Sequence, residues 1–160
     1  MTQAPLVIDW LSDATLKELL ARPDRCRELF DSTALVASLI DQLAPATRDT
    51  QWYRPAGIWM DYRWVAAGGF KGQPRQGCVE IGYRVHPHYR RRGLATALVS
   101  WLCQRAASAG LSHVLAVTQP DNQPSQAVLT QQGFEYRGDF LADQGETLQR
   151  WQCALNKRQP

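Results

Sequence analysis

Paired cysteines are missing from this sequence. Cys26, Cys78, Cys103 and Cys153 are its four cysteines, and no two stand at C-x-x-C spacing. Neither a zinc site nor a redox pair is suggested. Three of the four lie within apolar segments, which predicts buried free thiols in a reducing cytoplasm. Long hydrophobic runs are missing too, and nothing approaches the ~20 apolar residues that a spanning helix needs. The opening MTQAPLVIDWLSD has neither a basic region nor the long apolar core of a secretory signal. A soluble, cytoplasmic protein with no membrane partner is the expectation. Charge of one sign is scarce, because the formal net charge is only +3. A protein that coats nucleic acid usually carries a larger excess, so basic character here must be local. Internal repeats, linkers and low-complexity tracts are absent.

What is present fits one folded domain over residues 1–160. Hydrophobic residues make up 44% and charged residues 21%, the balance of a globular core rather than of disorder. PLVIDW (5–10) reads as a first strand. LSDATLKELLA then starts a helix, with Ser12 or Asp13 as its N-cap. DRCRELF and TALVASLIDQLA read as two further helical pieces, and PATRDTQW as a loop. Residues 56–72 are rich in aromatic and apolar side chains, with a tight turn near Asp61-Tyr62, and predict a hairpin. CVEIGYRV (78–85) is another strand. A helix follows from about Arg91 to Ala109, closed by Gly110. SHVLAVT is mostly apolar and is expected to be a central strand buried on both faces. A short helix and two closing strands complete the chain. The strands flanking the long helix should be parallel neighbours through a right-handed crossover.

One stretch asks for a ligand. YRVHPHYRRRGLATAL runs three arginines into a glycine where the long helix begins. A helix N-terminus offers unsatisfied backbone N–H groups and a partial positive charge. Gly93 and Ala95 are small enough to let a ligand reach that backbone. The arrangement predicts a pyrophosphate cradle, yet the GxGxxG and GxxxxGK[ST] fingerprints are absent. A nucleic-acid patch is disfavoured, since no aromatic stacking platform is interleaved there. His86 and His88 lack the further ligands a metal would need, so no metal is expected.

VHPHYRRRGLATAL resembles motif A of the GNAT superfamily of N-acetyltransferases through Arg90-x-x-Gly93-x-Ala95. DNQPSQAVLTQQGF resembles the second family motif through Asn122, Ser125, Gly133 and Phe134. VEIGYRV and the upstream GGFKG look like the ribosomal-protein (RimJ/RimL-type) branch. The resemblance covers Gly68 to Phe134 and hardly touches the N-terminal third. It implies an α/β (α+β) fold: a mostly antiparallel mixed sheet of about seven strands, with helices on both faces. The parallel fourth and fifth strands would splay at the cofactor site, near Val85 and Val117. The implied cosubstrate is acetyl-coenzyme A (acetyl-CoA). The strand end Tyr83-Arg84-Val85 would meet it, Val85 pairing through its backbone with the pantetheine arm. Arg90, Arg91, Arg92, Gly93, Leu94, Ala95 and Thr96 would hold the pyrophosphate, while Asn122 and Ser125 face the sulfur.

The catalytic side chains are less determined. Glu80 is the only carboxylate on the central strand. It reads either as the general base or as a structural carboxylate, depending on whether the strand carries a bulge. Two groups common in the family are missing: a tyrosine seven residues after the asparagine, where Leu129 stands, and a glutamate five residues before it, where Val117 stands. In the RimL-like branch a serine at the position of Ser125 is thought to replace the acid. Ser125 also reads as the N-cap of the short helix, and one hydroxyl could do both. The acceptor would be a primary amine, small molecule or protein N-terminus, met by a monomer or homodimer. The missing tyrosine and glutamate keep an alternative open, a non-catalytic acyl-CoA-binding regulatory domain.

Overall fold

The structure, a computed structural model, describes residues 6–45 and 49–155. Pro5, which the first predicted strand included, lies outside them, as do residues 46–48 of the predicted loop. Strand β1 (Val7–Trp10) leads to Ser12, whose hydroxyl accepts from the Thr15 N–H and opens α1 (Asp13–Leu20). Pro23, which precedes the second predicted helical piece DRCRELF, belongs to that helix. It is the first residue of α2 (Pro23–Leu29), where its missing N–H costs nothing. Ser32 caps α3 (Thr33–Leu43) by accepting from the Leu35 N–H. These three helices carry a small core of Leu16, Leu19, Cys26, Leu29 and Val36, completed by Leu11 and Ala67.

Strands β2 (Ala56–Met60) and β3 (Arg63–Phe70) form the predicted hairpin. Asp61 and Tyr62, its two turn residues, both have positive φ, 54° and 60°. That is the primed turn whose twist matches the strands it joins. Strand β4 (Cys78–Val85) pairs antiparallel with β3 in an unbroken register from Ala66–Val85 to Phe70–Ile81. A Cβ on Gly68 would lie 2.6 Å from the Gly82 carbonyl oxygen, so this close approach requires glycine.

Helix α4 (Leu94–Ser108) starts three residues later than the sequence suggests, because Arg91 and Gly93 take left-handed φ values of 63° and 77°. Leu94, Leu98, Val99, Leu102 and Ala106 form its buried stripe. Gly110 ends it at φ 83°. Strand β5 (His113–Thr118), α5 (Gln123–Gln131), β6 (Glu135–Leu141) and β7 (Thr147–Ala154) follow.

The seven strands form one sheet in the order β1-β2-β3-β4-β5-β7-β6. Only β4–β5 is parallel. The main core lies between the sheet and α4 with α5, where Leu98, Leu102, Val114, Leu129, Phe134 and Trp151 pack. β5 departs from the expected strand buried on both faces. Val114, Ala116 and Thr118 are buried and the residues between them only half-buried. The physical reason is coverage: α2 packs on β3 and β4, leaving the second face of β5 less enclosed.

Candidate active site

The site begins where the parallel ladder stops. β4 and β5 share the rungs Cys78–His113, Val79–Val114 and Glu80–Leu115, and beyond them Ile81–Val85 and Ala116–Thr118 form no rungs with each other. On its other side β4 remains paired with β3. The Lys71 N–H donates to the Glu80 carbonyl and the His86 N–H to the Val65 carbonyl. Antiparallel alternation then turns the N–H and C=O groups of Tyr83 and Val85 away from β3 and into the gap. An extended ligand arm inserted there would find strand-like partners.

At the outer end of that gap the backbone bends through Arg90, Arg91, Arg92 and Gly93 into α4. Alternating handedness at successive residues turns several N–H groups toward one concavity, an anion-binding nest. The left-handed Arg91 is strained for a residue with a side chain, of order 1–2 kcal/mol. A Cβ on Gly93 would meet nothing within 4 Å, so the space above it is open. Arg90, Arg91 and Arg92 are all exposed. Arg90 Nε donates to the Val85 carbonyl at 3.4 Å, and the Arg92 guanidinium lies over the Tyr89 ring at 4.8 Å. Leu94 is buried under the nest, while Ala95 and Thr96 are half-buried in the first turn. These residues fit a pyrophosphate followed by a strand-like chain, the order of groups in coenzyme A.

The side chains divide between the two faces of β4. Tyr83 points toward α5, where its hydroxyl lies 2.6 Å from Ser125 Oγ. Burial pushes the Tyr83 phenol above its usual range, and the bond to Ser125 offsets part of that. Ser125 is not the helix cap. Asn122 caps α5, its Oδ1 accepting from the Ser125 N–H at 3.2 Å. Leu129, where many relatives carry a tyrosine, is fully buried.

Glu80 and Arg84 lie on the opposite face. With no register shift in the β3–β4 ladder, alternation sends Glu80 away from Val79 and Ile81, which join the core under α4. Its carboxylate pairs with Lys71 Nζ at 2.9 Å, both groups part-exposed. The Arg84 guanidinium reaches Asp31 at 3.1 Å, so its side chain turns to the N-terminal helices rather than into the nest. The two candidate catalytic side chains, Glu80 and Ser125, therefore stand on different sides of the gap.

Two groupings escaped the sequence reading. The Tyr83–Ser125 pair joins residues 42 apart, and no spacing signals it. Lys71 opposite Glu80 could have been found by counting rungs outward along the β3–β4 hairpin. A third cluster lies behind the strand end. His86 is 4% exposed; its Nδ1 accepts from the His88 N–H and its Nε2 lies 3.1 Å from Glu28 Oε2. The same oxygen accepts from Arg63 at 2.8 Å. His86 is thus buried, with a partner at each ring nitrogen. Among the described residues no group of three His, Cys, Asp or Glu is placed to hold a metal ion. No helix there is long and apolar enough to cross a membrane.

Similarity to known proteins agrees with this geometry. Residues 16–134 match the acetyltransferase (GNAT) family. A search of curated protein sequences found no match. Among solved structures, a ribosomal-protein-alanine N-acetyltransferase from Brucella melitensis superposes with a TM-score of 0.73 at 20% identity, covering 92% of this chain and 99% of that one. RimJ from Mycobacterium smegmatis, in complex with CoA-disulfide, gives 0.73 at 18% identity, covering 97% and 84%. YncA, a putative acetyltransferase from Salmonella typhimurium with its cofactor acetyl-CoA, gives 0.72 at 16%, covering 97% and 96%. These neighbours include the ribosomal-protein branch that the sequence resembles. The chain therefore belongs to the GNAT family of acetyltransferases, as an acetyl-CoA-dependent N-acetyltransferase.

Proposed function

We propose that this protein moves an acetyl group from acetyl-CoA to a primary amine, a small molecule or a protein N-terminus, by direct attack in a ternary complex. The observation that carries this is the continuity of nest and gap: an anion site at 90–96 opens onto the gap-facing backbone of Val85 and Tyr83. The nest residues hold the pyrophosphate, Val85 pairs with the pantetheine arm, and Asn122 and Ser125 border the sulfur. Bound acetyl-CoA supplies an activated acyl group and a thiol leaving group. A gap-facing N–H of β4 can donate to the acyl oxygen as negative charge develops there.

An amine arrives mostly as ammonium and must lose a proton. Glu80, paired with Lys71, takes it through water from the face opposite Ser125. Ser125 Oγ gives a proton on the other face, where the thiol departs. That division suits a reaction in which the amine enters on one side and the thiol leaves on the other.

The test is coenzyme A release with a panel of amines: peptides beginning with Ala or Ser, polyamines and aminoglycosides. Release above the amine-free rate with at least one class is expected. Glu80→Gln should then lower kcat by ~10²-fold at neutral pH with acetyl-CoA affinity little changed. The loss should shrink at high pH, where more of the amine is neutral. Wild-type rates for Glu80→Gln at every pH would leave Glu80 as the structural partner of Lys71. Tight acyl-CoA binding without turnover on any amine would favour a non-catalytic acyl-CoA-binding regulatory domain, a reading to which Leu129 and Val117 point.

A further inference from the structure

The α5 tyrosine that would supply a proton in many relatives is replaced here by Leu129, whose side chain is sealed in the core. A serine alone is a poor substitute. Its hydroxyl is a far weaker acid than a phenol, whose ordinary value is about 10 and which burial pushes higher at Tyr83. A Ser125 oxygen that gave up its proton unaided would be left as an alkoxide. The structure places a phenol directly behind it. Tyr83 Oη and Ser125 Oγ are 2.6 Å apart, short even for a hydroxyl pair. Two further observations make the contact more than packing. Asn122 takes over the capping of α5, so Ser125 Oγ is not spent on the helix end. Tyr83 stands beyond the last shared rung of β4 and β5, with its own backbone groups facing the gap.

We infer that Tyr83 is the proton source behind Ser125, a β-strand phenol doing through a serine what a helix tyrosine does in many relatives. The inference rests on the acetyltransferase reading above. Tyr83 Oη–H donates to Ser125 Oγ, which leaves the serine's own hydrogen free to point into the gap. As the carbon–sulfur bond breaks, its electron pair goes to sulfur and Ser125 Oγ hands that sulfur its proton. The phenolic proton moves to Ser125 Oγ in the same event. Negative charge then rests on Tyr83 Oη, which regains a proton from solvent. The amine nitrogen sheds two protons to solvent, the first through the base as the ammonium is neutralised and the second as the amide forms. Tyr83 recovers one of them, so the cycle balances with one proton released. Tyr83 acts through Ser125 and does not itself touch the reacting atoms.

The experiment compares wild type, Tyr83→Phe, Ser125→Ala and the double variant with an amine that supports turnover. Each single change should lower kcat by about 10- to 100-fold, with acetyl-CoA affinity by calorimetry changing far less. The double variant should be no slower than the slower single one, because both changes cut one relay. Replacing acetyl-CoA with an acetyl thioester of a more acidic thiol should shrink both losses, which a packing defect would not do. Proton NMR of the ligand-free protein gives a readout independent of turnover. A downfield hydroxyl proton should show contacts to the Tyr83 ring hydrogens and vanish in Tyr83→Phe. An undiminished kcat in Tyr83→Phe, multiplicative losses in the double variant, or a shared proton residing on Ser125 would each overturn the relay. Failure of every amine to release coenzyme A would instead overturn the acetyltransferase reading, with the NMR result still deciding which oxygen donates.

Discussion

At Gly93 a single hydrogen in place of a side chain serves two purposes that a mutation can separate. The residue has φ 77°, and the space its Cβ would enter is free of protein. Gly93→Val should strain the backbone and crowd the anion. Gly93→Asn should crowd the anion while tolerating the left-handed conformation better. Both should weaken acetyl-CoA binding by at least tenfold in calorimetry, about 1.4 kcal/mol. Only the valine variant should lose substantial stability in denaturant titration. Asn binding at wild-type affinity would remove Gly93 from the cradle. The sequence showed that a small residue was needed here but not that Arg91 shares the left-handed geometry. Nothing in the identity of an arginine announces a positive φ, which the bend from the 3-10 turn at Pro87–Tyr89 into α4 imposes.

Elements were legible where their signals were local. Gly110 and the turn at Asp61-Tyr62 could be read directly, whereas Pro23 could be read as a break but not as the first residue of α2. The start of α5 was harder, because Asn122 and Ser125 both have capping side chains. Asn122 is the cap because its carboxamide meets the third helical N–H, which is that of Ser125 itself. Asn122→Ala should cost about 1 kcal/mol of stability, read as a lower denaturation midpoint with unchanged slope. Asn122→Asp should recover most of it, since a carboxylate also accepts at a helix N-terminus. Equal stability of Asn122→Ala and wild type would show that the cap is held by packing alone. The side of the sheet taken by Glu80 was not legible at all. It depends on whether β4 bulges, and only the unbroken register with β3 decides that.

For the molecule as a whole, the groups that join distant segments were invisible to local reading. Glu28 on α2 binds both His86 at the end of β4 and Arg63 at the start of β3, tying the N-terminal helices to the sheet beside the site. The Tyr83–Ser125 pair likewise ties β4 to α5, and its burial gives stability a pH dependence. The folded value of the phenol lies above its unfolded value of about 10. Below that pH both states are protonated and the contribution is fully present. As pH rises past it, the unfolded chain ionises first and stability is lost up to the folded value. Cys26 and Tyr136 are shifted the same way, so wild type should weaken in alkali through several groups. Tyr83→Phe should show a shallower loss than wild type between pH 9 and 11 in chemical denaturation, on the order of tenths of a kcal/mol or more. Identical slopes would mean that Tyr83 is as solvated as in the unfolded chain.

The early end of the β4–β5 ladder makes the seven-stranded sheet a textile with a dropped stitch. Four strands on one side and three on the other are joined along only three rungs. A coenzyme threaded into the opening would knit them, lending the amides of Tyr83 and Val85 the partners that the polypeptide withholds. Those two amides should therefore swap hydrogen for deuterium quickly in the free protein and slowly in the complex. The molecule would be most fully a single sheet only while it holds its reagent, and each release of product would loosen the seam before the next round.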